Sequence, residues 1–143
     1  MTILRQNYSD YRIRDIDIPD SGSGFVYLLV STINPQQRYI GQTKDLYNRL
    51  RQHNSGSGPT QATYFLPYAL CAYVCGFDGN DTLRLHFENE WKNEVFILNM
   101  QGIMSVFRWA RIAETIIDRI SANDEFRNYE LRFVMLFERD VEV

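Results

Sequence analysis

Gly24-Phe25-Val26-Tyr27-Leu28-Leu29, Tyr39-Ile40-Gly41-Gln42-Thr43 and Tyr47-Asn48-Arg49-Leu50-Arg51-Gln52-His53-Asn54 follow one another within about thirty residues, and their reading decides the fold. The first is β-branched and aromatic and reads as a strand over Phe25 to Val30. Thr32 to Gln37 carries a turn centred on Asn34-Pro35, and Arg38 to Gly41 resumes extended, so the pair reads as a hairpin with a tyrosine on each arm. Thr43 is then a natural N-cap for a helix over residues 44–53, with Asp45 in the first turn to complement the dipole. That helix stops before Ser55-Gly56-Ser57-Gly58-Pro59, a stretch with no tendency to order by itself.

Working outward, residues 69–77 form a third apolar strand that Asp78-Gly79-Asn80-Asp81 terminates. A second helix starts there with Asp81 as cap, and Leu83, Phe87 and Trp91 recur along it at the spacing that packs a helix on a sheet. A third helix, about Ile103 to Ile120, places Val106, Ala110, Ala113, Ile116, Ile117 and Ile120 at helical spacing, and Leu131 to Phe137 reads as a closing strand. Residues 1–23 read as an N-terminal arm ended by Pro19-Asp20-Ser21-Gly22-Ser23-Gly24. The expected architecture is a mixed α/β (α+β) domain over residues 24–143: a central three-stranded antiparallel sheet flanked by helices (core 24–92), with a helix and a strand in the extension 93–143.

Composition narrows the classes. Apolar and aromatic residues make up 45% of the chain and charged residues 23%, which suits a folded core and not a disordered chain. No apolar run approaches the roughly 20 residues of a membrane span. The polar opening Met1 to Asp10 lacks the apolar centre of a secretory signal, so an intracellular protein is expected. Cys71 and Cys75 sit in apolar surroundings, and two thiols cannot build an all-cysteine zinc site; they read as reduced core residues. The net charge of −3 by itself disfavours a nucleic-acid partner, but it is unevenly distributed. Residues 1–60 hold seven Lys/Arg (Arg5, Arg12, Arg14, Arg38, Lys44, Arg49, Arg51) against five Asp, whereas residues 61–143 hold eight against thirteen acids. Basic character thus gathers where phosphates could be met.

The chemistry-bearing residues fall on two helices and the hairpin. At about 100° per residue, Leu46, Leu50 and His53 share one stripe of the first helix, Arg49 flanks it and Arg51 points to the opposite side. Arg49 at the rim of a buried stripe can reach a phosphate over the sheet while its stem packs on apolar neighbours. Tyr27 and Tyr39, beside that helix face, are an acid/base pair for hydrolysis: a phenol ordinarily titrates near pH 10, and a nearby arginine favours its deprotonated form. Charge built up at a phosphoryl group calls for a divalent cation, for which one carboxylate with waters suits Mg²⁺. Glu88 and Glu90 both flank the packed stripe of the second helix, and spacing does not choose between them.

Phe25-Val26-Tyr27, Tyr39-Ile40-Gly41, the Arg49 to Asn54 segment and Phe87-Glu88-Asn89-Glu90-Trp91, in that order, resemble the GIY-YIG nuclease superfamily, in particular its Slx-type structure-selective endonucleases. The resemblance is strong over about residues 24–92. It implies that Tyr27 or Tyr39 is the general base, that Arg49 steadies the scissile phosphate, that His53 orients or relays, and that Glu88, selected by the Phe87-Glu88 register, holds one Mg²⁺ (or Mn²⁺). It implies cleavage of branched or flapped DNA, with Arg38, Gly41, Lys44, Arg51 and Asn54 on the face that tracks the backbone, and a nuclear location if the host is eukaryotic. Two departures stand out. Phe25 replaces the glycine of the first motif, with Gly24 just before it, and two cysteines cannot build the zinc-binding module through which Slx-type subunits join a scaffold, so that partnership is left open. A restriction-like or mobile-element nuclease and a catalytically idle binding domain are the alternatives; the former needs sequence readout that no added module here supplies, and the latter has no use for the five-residue set.

Overall fold

The structure, a computed structural model, describes residues 24–55, 67–102 and 104–136. The expected arm, the Ser-Gly-rich loop after Ser55, the start of the third helix at Ile103 and the strand end at Phe137 lie outside them. Among these residues are four strands, β1 (Phe25–Ser31), β2 (Arg38–Thr43), β3 (Tyr68–Cys75) and β4 (Arg132–Met135), and three helices, α1 (Leu46–Asn54), α2 (Asp81–Asn99) and α3 (Val106–Ser121), in the chain order β1-β2-α1-β3-α2-α3-β4. The sheet is wholly antiparallel in the order β2-β1-β3-β4.

Every residue of β1 and of β3 is buried, because each strand has a neighbour on both sides and helices cover both faces of the sheet. On one face Val26, Leu28, Val30 and Ile40 pack with Phe87, Trp91, Ala110, Ala113 and Ile116 from α2 and α3. On the other, Phe25, Tyr27, Leu29, Leu70 and Tyr73 pack beneath Leu46 and Leu50 of α1. Between Leu28 and Leu29 the β1–β3 register slips by one residue, leaving Cys71 as the extra residue of a bulge. Cys71 and its neighbour Ala72 consequently face the same core, and both cysteines are buried thiols outside any disulfide, as expected.

The sheet has four strands where three were expected. Arg132 to Met135 pairs with Cys75 to Ala72 and covers what would otherwise be an open edge of β3. The chain reaches that edge beneath Gly76, whose φ of +102° and whose approach to the Glu130 carbonyl, 2.2 Å from where a Cβ would lie, leave no room for a side chain.

Helix starts lie one to three residues from where they were expected. Asp45, not Thr43, caps α1 by accepting from the Asn48 N–H, while Thr43 ends β2 and its Oγ1 accepts from the Asp45 N–H. Asn80, not Asp81, caps α2, and Ser105 caps α3. In each case two adjacent residues with capping side chains, or one beyond the expected start, compete for a single cap position.

Candidate active site

The site is assembled at the β2 edge of the sheet, where α1 lies on one face and α2 passes on the other. In the β1–β2 ladder Tyr27 stands opposite Gly41 and Leu29 opposite Tyr39, so the two tyrosines are diagonal neighbours on the α1 face, with ring centroids 6.2 Å apart. Gly41 makes the arrangement possible. A Cβ there would lie 2.6 Å from Tyr27 Oη and 2.6 Å from Tyr39 Cε1, so both rings lie directly over a backbone without a side chain.

His53 completes the cluster. It is fully buried in the last turn of α1, its ring 4.9 Å from that of Tyr39, and its Nε2 is 2.9 Å from Tyr27 Oη. Burial and the neighbouring Arg49 push the imidazole down to about 4, so it is neutral near pH 7, and in the tautomer protonated at Nδ1 its Nε2 is the acceptor for the Tyr27 hydroxyl. Tyr27 moves the other way. Burial, reinforced by Tyr39 and Glu88, raises its phenol well above the usual range and outweighs the opposing pull of Arg49. Arg49 favours the phenolate, as expected, but burial outweighs it, so in this resting site Tyr27 is a protonated phenol hydrogen-bonded to a neutral imidazole.

Asn54, the next residue, holds α1 in place. Its Nδ2 donates to the Tyr68 carbonyl at 3.0 Å and its Oδ1 accepts the Tyr68 N–H at 2.6 Å, tying the helix end to the first residue of β3. Arg49, half-buried one turn before His53, faces both Tyr27 and His53 closely enough to act on their charge states.

From α2, Glu88 brings a carboxylate that is nearly buried yet close enough to act on Tyr27. Phe87 and Trp91 anchor that turn in the core, the latter donating from Nε1 to the Trp109 carbonyl at 2.9 Å. Glu90, the alternative carboxylate, is paired with Arg119 at 3.4 Å and with His86 at 3.7 Å, in a network with α3 that does not involve the tyrosines. Among the described residues no three His, Cys, Asp or Glu side chains converge on one point. The donor set is thus one carboxylate beside an open rim. It fits a hydrated Mg²⁺ or Mn²⁺, which keeps most of its waters, and does not fit an ion needing an all-protein cage.

The residues expected along DNA divide into two groups. Lys44 and Arg51 are exposed, the first 3.6 Å from Asp81 and the second over the Tyr47 ring at 5.8 Å. Arg38, Gly41 and Asn54 are occupied otherwise. Side chains alternate along a strand, so Arg38 shares the α2/α3 face with Ile40, donates to the Pro35 and Met104 carbonyls at 2.7 Å each, and lies over Trp109 at 5.0 Å. Two residues absent from the sequence reading join the site from α2. Arg84, one turn before Glu88 and nearly buried, donates from Nε to Gln42 Oε1 at 2.7 Å and fixes the helix to β2. Lys92, one turn after, lies 3.1 Å from Glu88 Oε2. The i,i+4 Glu-Lys spacing was the signal for the second.

The GIY-YIG catalytic domain matches residues 23–95, more than half of the chain. Over 89 residues, 59% of this chain, the sequence is 34% identical to a protein of Botryotinia fuckeliana (strain B05.10) named structure-specific endonuclease subunit slx1. The chain spans about a fifth (21%) of that relative's length. With two tyrosines over a strand glycine, an arginine and a histidine one turn apart on the next helix, and a glutamate brought in from α2, this chain belongs to the GIY-YIG family of nuclease catalytic domains.

Proposed function

We propose that the domain is a divalent-metal-dependent endonuclease that hydrolyses phosphodiester bonds in branched or flapped DNA. The observation that carries the chemistry is the 2.9 Å hydrogen bond between Tyr27 Oη and Nε2 of the neutral, buried His53, with Arg49 and Glu88 both close enough to act on Tyr27. The name of the relative, a structure-specific endonuclease, supports the substrate class. Shape and deformability of a junction would supply the selectivity.

A phosphate arriving at the rim meets Arg49, whose planar guanidinium suits phosphate oxygens. That contact also changes His53. Arg49 is one of the two causes holding the imidazole neutral, and a phosphate anion against the guanidinium offsets its field, so the base strengthens as substrate binds. Water placed against Tyr27 Oη gives its proton to the phenol oxygen while the phenol proton passes to His53 Nε2. The hydroxide so formed attacks phosphorus, and the proton rests on the imidazole. Tyr39, half-buried with its ring tilted against that of His53 at 4.9 Å, keeps the imidazole oriented. Glu88 would hold the Mg²⁺ or Mn²⁺ ion, which supplies Lewis-acid stabilisation of the charge on the leaving 3′ oxygen. Lys44 and Arg51 would follow the neighbouring phosphates.

The test is nicking of a labelled 5′-flap and a four-way junction with Mg²⁺. Wild-type protein is expected to cut one or both in preference to linear duplex, and Arg49→Ala and Glu88→Gln to abolish cutting while keeping the circular dichroism spectrum of the wild type. Equal cutting of linear duplex would remove the structure-selective reading, and undiminished cutting by either variant would remove that residue from the mechanism.

A further inference from the structure

Glu88 already has a cation. Lys92 lies one helical turn further along α2 with Nζ 3.1 Å from Glu88 Oε2, and the same ammonium stands 5.9 Å from the centroid of the Tyr39 ring. The two ends of the pair differ in environment: the Glu88 side chain is 10% exposed and that of Lys92 46% exposed. A carboxylate so nearly buried needs a counter-charge, and Lys92 supplies it from the solvent side on a flexible stem. Arg84, the other cation near this turn of α2, is bound to Gln42 and Asp81 instead.

We infer that Lys92 is the resident counter-ion of this site: it competes with the divalent ion for Glu88 and, once displaced, binds phosphate beside Tyr39. The inference rests on the reading of Glu88 as the metal carboxylate. An ammonium and a divalent ion cannot both hold the same carboxylate oxygen without strong mutual repulsion, so one must leave. Lys92 is the one able to move, being half-exposed on a flexible four-carbon stem whose ammonium already lies near the Tyr39 ring. It then presents a positive charge beside the Tyr39 ring, complementing Arg49 from α1. Metal and DNA therefore assist one another, because DNA drawing Lys92 away opens Glu88, and metal on Glu88 releases Lys92.

Mn²⁺ binding followed by electron paramagnetic resonance without DNA tests the first half. Lys92→Gln is expected to bind Mn²⁺ about two- to fivefold more tightly than wild type, the fold-change set by a partly exposed ion pair. Equal or weaker binding in Lys92→Gln, with the signal lost in Glu88→Gln, overturns this inference alone. A Mn²⁺ isotherm that Glu88→Gln leaves unchanged overturns both the inference and the metal role of Glu88. The second half is tested without metal, by fluorescence anisotropy of a labelled 5′-flap oligonucleotide in EDTA with wild type, each single variant and the double variant. Lys92→Gln is expected to weaken DNA binding more in the Glu88→Gln background, where the ammonium is released, than in the wild-type background, where it is held. Equal losses in the two backgrounds overturn the phosphate-binding role.

Discussion

Gly41 and His53 show how much of this site is decided by single atoms. Replacing Gly41 by alanine puts a methyl 2.6 Å from Tyr27 Oη and from a Tyr39 ring carbon, so one ring or the strand must yield. Gly41→Ala is expected to cost about 1–3 kcal/mol, as overpacking generally does, and to lower cleavage far more than that loss of stability explains. Urea denaturation and single-turnover cleavage, read side by side, check it. His53 adds a pH dependence of definite sign. Its folded value of about 4 lies below the ordinary 6.5, so between those values the unfolded chain binds a proton that the folded chain refuses. The stability contributed is complete above about pH 6.5 and is lost as pH falls toward 4. Allowing for solvent screening at a site open toward Arg49, the loss should be about 1–2 kcal/mol. Urea midpoints at pH 7, 5.5 and 4 should fall more steeply for wild type than for His53→Gln; parallel falls would show that another group carries the acid sensitivity. That Tyr27, Tyr39, Arg49 and His53 would gather on one side of the hairpin was legible from strand alternation and helical spacing, but the charge states were not. Burial outweighs Arg49 at Tyr27, and burial depends on the whole sheet.

At the level of elements, what the sequence made plain were the hairpin, the first helix and the apolar stripe of α2, because each is encoded by a local period. The fourth strand was legible as a strand but not as a member of the sheet. Its pairing with β3 depends on the turn beneath Gly76 and on α3 returning the chain to that edge, both long-range facts. The same limit applies to Asn54, which reads as part of a motif yet joins α1 to β3 through the Tyr68 backbone. Asn54→Ala removes both hydrogen bonds and leaves partly buried backbone groups wanting partners, at an expected cost of about 1–3 kcal/mol. Because His53 is the adjacent residue, hydrogen exchange should quicken across α1 while β1 and β2 stay protected. Uniform acceleration throughout the sheet would show that Asn54 supports the fold as a whole instead of one element.

Across the whole molecule, charge separates by face more sharply than by sequence. The excess of basic residues in the first sixty positions suggested a single phosphate-facing patch, but the alternation of β2 sends Arg38 to the α2/α3 side, where the Pro35 and Met104 carbonyls and the Trp109 ring engage it. Arg49 stays at the site, and Lys44 and Arg51 stay exposed. This division has a thermodynamic signature, since each phosphate neutralised releases counter-ions and steepens the fall of affinity with salt. Arg49→Gln, Lys44→Gln and Arg51→Gln should each reduce the slope of log affinity against log salt by about 1 when binding to a 5′-flap oligonucleotide is measured in EDTA. Arg38→Gln should leave that slope where it is and lower the melting temperature, because the carbonyls of the hairpin turn and of the segment before α3 lose a shared donor. A slope reduced by Arg38→Gln as much as by Arg49→Gln would mean that DNA reaches across the edge of β2 onto the opposite face, and the binding surface would then have to include α3.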